Sequence, residues 1–95
     1  MKFTFVLPNN PPVRQTGVNE AGEAVFEDLT WYCDVDWPVP PRLGETVLHG
    51  RYYQIVDRVM WRMVSDECRI LLAPGWEESL GVPPGVWYRK TGNAA

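Results

Sequence analysis

Apolar and polar residues alternate with period two along several stretches of this chain, and one stretch does so without a break. Over residues 29–37 the apolar positions are Leu29, Trp31, Cys33, Val35 and Trp37. The face between them carries Asp28, Thr30, Tyr32, Asp34 and Asp36. Successive side chains of an extended strand point to opposite faces, so this pattern predicts a strand with one buried face. It forms the second half of a long strand over residues 23–37. Pro38-Val39-Pro40-Pro41 ends that strand as a stiff extended connection. Nearer the start, Phe3, Phe5 and Leu7 alternate with Lys2, Thr4 and Val6, a first strand stopped by Pro8. Asn9-Asn10-Pro11-Pro12 reads as a loop, and the polar residues 14–22 as a mobile connection or wide hairpin tip.

The block from Pro41 to Pro74 predicts three consecutive antiparallel strands. A short strand around Val47 ends at His49-Gly50, where glycine suits a tight turn. Tyr53, Ile55, Val59, Trp61 and Met63 then share one parity and are expected inward. Val56 is apolar on the opposite parity, and Asp57 breaks the alternation. A bulge or bend at Val56-Asp57 reconciles both. Ser65-Asp66-Glu67 is a polar turn, and the chain returns through Cys68 to Ala73. Residues 75–81 predict one helical or 3-10 turn stopped by Gly81. Residues 86–89 predict a last short edge strand, and residues 91–95 a frayed tail. The expected fold is a single all-β domain over residues 1–95. It is a small curled antiparallel meander or partly open barrel of five to six strands, with at most one short helical turn.

Gly44, Glu45, Val47, Gly50, Tyr53, Ile55, Val56, Val59 and Trp61 follow one another in an order that resembles SH3-like small barrels. It also resembles small β proteins of bacteria and their phages. The resemblance spans about a third of the chain. It implies architecture and no particular chemistry.

Composition narrows the possibilities. The 95 residues are 45% hydrophobic and include five Trp, four Tyr and three Phe, enough for one modest core without disulfide or metal. Net charge is −3, which argues against general binding to nucleic acid or anionic membranes. No apolar run approaches the ~18 residues of a membrane span. The apolar run of the first ten residues is too short for a secretory signal, so a cytoplasmic location is expected. Cys33 and Cys68 sit in apolar strands and are expected as two buried thiols. His49 is the only histidine, too few partners for a zinc site. No metal and no cofactor are expected.

Little in the sequence carries catalytic chemistry. Asp28, Asp34 and Asp36 fall on one face, at a spacing of about 7 Å for neighbours two apart, which suits paired carboxylates or a hard cation. The calcium-loop signature is absent, and a solvated outer face explains them as well. His49 sits in a turn with no nucleophile in a recognisable context. Pro38-Val39-Pro40-Pro41-Arg42 matches a polyproline segment followed by a base, the shape SH3 domains bind. Trp, Tyr and Arg dominate binding hot spots, and the outward positions combine such residues with acids. The sequence therefore points to a non-catalytic protein-binding protein, such as a phage or mobile-element defence inhibitor or adaptor. Tyr32, Asp34, Asp36, Tyr52 and Arg58 form its expected partner surface. A small barrel binding single-stranded nucleic acid is the alternative, if Arg51, Arg58, Arg62 and Arg69 cluster. A small enzyme using the Asp28, Asp34 and Asp36 face ranks last. An edge at residues 2–7 or 86–89 offers a route to dimers, the oligomeric state being open.

Overall fold

A computed structural model describes residues 1–49, 52–62 and 67–90. Gly50 and Arg51, where a turn is expected, residues 63–66, which include Met63 and the turn expected at Ser65-Asp66, the tail 91–95 and the side chain of His49 lie outside the described residues. The architecture is all-β. Its main body is a curled five-stranded half-barrel sheet. The sheet contains β1 (Lys2–Leu7), β5 (Trp31–Asp36), β6 (Thr46–His49), β7 (Tyr52–Arg62) and β8 (Glu67–Leu72), in the order β5-β1-β8-β7-β6. The expected meander holds for β6, β7 and β8, which pair antiparallel. β1 enters between β5 and β8, antiparallel to the first and parallel to the second. Two small ribbons complete the fold. β2 (Asn9–Asn10) pairs with β9 (Trp76–Glu77), and β3 (Val13–Val18) with β4 (Ala24–Asp28). The only helical piece among the described residues is a 3-10 turn, Glu78–Leu80, closed by Gly81 at φ 73° as expected. No helix among the described residues is long and apolar enough to cross a membrane.

The inner face of the half-barrel is the core. Phe3, Phe5 and Leu7 of β1, Trp31 of β5, Val47 of β6, Val56 of β7, and Cys68, Ile70 and Leu72 of β8 are buried there with Trp76. Cys33, Val35, Tyr52, Val59 and Trp87 pack against them, half-buried. Burial raises the pKa of both thiols, so they remain protonated and inert.

One expected feature takes a different form, and another resolves between two alternatives. The long strand over 23–37 is split into β4 and β5, because the Asp28 carboxylate accepts the Thr30 N–H at 2.9 Å and turns the chain. Leu29, buried at the break, donates its N–H to Pro12 at 2.8 Å. Of the two forms expected for the polar stretch 14–22, a mobile connection and a hairpin tip, the structure has the hairpin. β3, exposed throughout, and β4, half-buried from Val25 to Asp28, form a ribbon whose turn is held by Asn19, whose side chain accepts the N–H groups of Ala21 and Glu23.

The bulge at Val56-Asp57 is present: register passes from Val56↔Leu72 to Arg58↔Leu71. Its consequence reaches further than the parity pattern implied. Before the bulge the inward residues are Tyr52, Gln54 and Val56, so Tyr53 and Ile55 turn outward and are 64% and 47% exposed. After it Val59 faces inward, but Trp61 lies beyond the covered part of the sheet and is 59% exposed. Trp37 rests its edge on Phe3 and Phe5, 5.6 and 5.2 Å away, yet stays 41% exposed.

Residues 37–45 leave β5 at one edge of the sheet and enter β6 at the other. Crossing the sheet's four strand spacings takes ~19 Å, within the ~30 Å reach of an extended chain of that length. The Trp37 contacts show that the crossing starts over the inner face. The proline-rich segment is thus a strap over the half-barrel.

Candidate functional site

Tyr32, Asp34 and Asp36 do share the outer face of β5, and Arg58 lies on the same face. Register lines up Tyr32, Val6, Leu71 and Arg58 across the strands. A second row runs from Asp34 through Thr4 and Arg69 to Met60. Tyr52 is a correction: it faces inward, packs on the core and meets Trp76 edge-on at 4.9 Å. The bulge accounts for this, since it reverses parity along β7. Tyr32 is a second correction, for although it stands on the outer face it is 8% exposed. The chain beyond Pro84 folds back over it. Tyr88 exchanges two backbone hydrogen bonds with Tyr32, at 2.8 and 2.9 Å, and the rings stack at 5.8 Å. The Lys90 ammonium lies 4.6 Å from the centre of the Tyr32 ring. Burial and the nearby Asp28 carboxylate, which accepts the Tyr32 hydroxyl, raise the phenol's pKa.

The aspartates are exposed but occupied. Asp34 accepts hydrogen bonds from Thr4 Oγ1 at 2.6 Å and from the Tyr88 hydroxyl. Asp36 binds the N-terminal ammonium at 2.8 Å, which lowers its pKa. They line a groove of about 610 Å³ with Lys2, Thr4 and Glu67. Glu67 in turn is held by Arg69 at 2.8 Å and Arg62 at 3.6 Å. Asp28 closes β4 and no longer belongs to the same strand as Asp34 and Asp36. Among the described residues no group of three or more His, Cys, Asp and Glu could hold a metal ion.

Arg58, Arg62 and Arg69 share the outer face, but Glu67 engages the last two. The Arg58 guanidinium has no partner among the described residues. Arg89 and Arg14 are drawn elsewhere, to Glu78. Arg89 binds its carboxylate at 2.6 Å and covers the Trp31 ring at 4.0 Å. Arg14, held first by Glu27 at 2.6 Å, approaches it at 3.9 Å, and buried Asn9 also donates to it. The Arg89 hydrogen bond holds the Glu78 carboxyl below its ordinary range. This node ties β2, the ribbon and the C-terminal segment together and reads as structural.

The β6–β7 edge does not show in the parity of the sequence. Leu48 pairs with Tyr53 and Thr46 with Ile55, and all four side chains stand outward. Leu48 is 73% exposed. With Arg58 they make a patch of aliphatic, aromatic and basic surface on the convex side. The signal that could have found it is Val56: once that residue is inward, Tyr53 and Ile55 cannot be. Of the two edges expected from sequence, residues 2–7 are not one and residues 86–89 meet the sheet at a single bridge. β1 is an interior strand, and residue 88 pairs with β5. Among the described residues β6 has no strand on its outer side, and beside it lies a groove of about 510 Å³ lined by Trp37, Val39, Pro40, Pro41, Arg42 and Glu45 of the strap and by Thr46, Val47 and Leu48 of the strand. No protein-family model matches the chain, and neither a curated protein nor a solved structure matches it.

Proposed function

We propose that this chain is a non-catalytic protein-binding module whose partner contacts the convex face of the β6–β7 edge. The observation that carries the proposal is the side-by-side exposure of Leu48, Tyr53 and Ile55 on one antiparallel strand pair, with Arg58, which has no partner among the described residues, beyond them. Soluble monomers rarely leave contiguous apolar surface of this kind unused. Aromatic and arginine side chains on a pre-ordered scaffold bind with little loss of conformational freedom. Binding to a phosphate backbone is less favoured, because Glu67, Asp34 and Asp36 are interleaved with Arg62, Arg69 and Lys2 on the outer face.

The test is affinity capture from native lysate with the wild-type chain, a Tyr53→Lys/Ile55→Lys variant and an Asp34→Asn/Asp36→Asn variant. A partner retained by the aspartate variant and lost by the lysine variant is the expected result. A partner held equally by all three sinks the proposal. Salt-sensitive binding of a single-stranded oligonucleotide by the same chain would favour the nucleic-acid alternative.

A further inference from the structure

The main chain of β6 has a free side. Val56 donates its N–H to the Glu45 carbonyl and accepts at its own carbonyl from the Gly44 N–H, each at 2.8 Å, so both main-chain groups of Val56 point toward the β6 side, while the Glu45 N–H turns back to Arg42. Antiparallel ladders alternate, which makes Val47–Gln54 and His49–Tyr52 the next bonded pairs. On the other flank of β7, Ala73 donates to the Ile55 carbonyl, as that alternation requires. The N–H and C=O groups of Thr46 and Leu48 therefore point away from β7. Among the described residues no strand lies on that side.

The groove follows the same edge. It touches Thr46, Val47 and Leu48 in succession, and successive strand side chains lie on opposite faces. A cavity reached by all three must run along the strand's edge instead of over one face. Its opposite wall is the strap of Trp37, Val39, Pro40 and Pro41, rigid and apolar. Arg42 lies in the same wall, and no acid among the described residues partners its guanidinium. The neighbouring Glu45 carboxylate is already taken up by the Arg42 main-chain N–H.

Resting on the protein-binding reading above, we propose that β6 takes up an extended segment of a partner protein as an added strand. Its main chain bonds to Thr46 and Leu48, alternate apolar side chains enter the groove against the strap, and an acidic side chain meets Arg42. Strand addition supplies affinity through main-chain bonds and specificity through side-chain pockets, and this site offers both. A second copy of the chain fits less well. Stable dimers cover about 800 Å² per partner, whereas a four-residue edge runs only ~14 Å.

The probe is a displayed library of random twelve-residue peptides selected against the whole chain, with the best binders then synthesised. Enriched peptides should alternate apolar residues and carry an acid. Binding should slow amide exchange at Thr46 and Leu48. Leu48→Pro removes an outward donor and no ladder bond, so it should keep cooperative unfolding and weaken binding at least tenfold. Arg42→Gln should weaken acidic peptides several-fold and leave their amide analogues unchanged. Should Leu48→Pro fail to fold, peptides N-methylated at alternate residues test the same bonds and should lose binding. The proposal is overturned if no peptide is enriched, if Leu48→Pro or the N-methylated peptides bind as tightly as the unmodified pair, or if protection appears elsewhere. Self-association abolished by Leu48→Pro would assign the edge to a second copy and overturn the choice of partner. Tyr53→Lys/Ile55→Lys disturbs the convex face and leaves the edge main chain intact. Peptide binding that survives it, beside loss of the captured partner, therefore separates the two ideas.

Discussion

The two edges of one sheet have opposite fates. At β5 the C-terminal segment adds a bridge through Tyr88, stacks its ring on Tyr32 and ties its hydroxyl to Asp34. At β6 nothing comparable arrives among the described residues, and Leu48 and Tyr53 are exposed. Both strands have the period-two pattern of a half-buried sheet. The difference lies in which distant piece of chain reaches each edge. A clean acidic and aromatic face in sequence, that of β5, is thus largely consumed in holding the molecule together. The less regular β6–β7 pair is left available.

The largest effect should come from the core that both edges share. Leu72→Ala empties a fully buried site beside Val56 and should cost ~2–5 kcal/mol in chemical denaturation, loosening both edges together. If amide exchange at β5 and β6 instead loosened separately, the two edges would not belong to one cooperative unit. Tyr88→Ala comes next. Loss of the stack and of the hydrogen bond to Asp34 should cost about 1–2 kcal/mol and speed amide exchange at Tyr32, with no change at Leu48. Equal acceleration at both edges would end the contrast.

Acid should then act on the β5 side. The Glu78 carboxyl is held below its ordinary value of 4.5, first by the Arg89 hydrogen bond. A lowered pKa in the folded state means that the stabilisation is fully present above that value and is lost as pH falls through the folded pKa. The melting temperature should therefore drop on acidification below about pH 4.5, and Glu78→Gln should flatten that part of the curve. An unaltered slope in the variant would remove Glu78 from the account. The smallest effect on stability should be at the open edge. Tyr53→Lys and Ile55→Lys should each shift unfolding by no more than about 0.5 kcal/mol, since neither side chain is packed. A cost of several times that would show the patch to be covered in solution.

Much of the fold was legible before any coordinates. The period-two runs mark β1, β5 and the β6–β8 block, Val56 announces the bulge, and Gly81 stops the 3-10 turn. β3 was not legible, because a solvent-exposed strand has no buried face to impose a pattern on Arg14, Gln15 and Thr16. The break at Leu29 was hidden for the opposite reason. Its parity continues across the turn, and only the Asp28 bond to Thr30 reveals that the chain bends. Of the expected partner surface, Arg58, Asp34 and Asp36 are exposed, while Tyr32 and Tyr52 are held in the structure.

The sequence by itself determined that this chain forms strands, where one of them bulges and, in β1 and β5, which side chains share a face, since those properties depend on neighbours a few residues apart. Only the tertiary structure decided that β1 lies between β5 and β8, that residue 88 seals one edge and that a proline strap leaves the other beside a groove. Alternation says which residues point the same way, but what covers them depends on chain arriving from tens of residues away. Burial, pairing and exposure at the two edges were settled there.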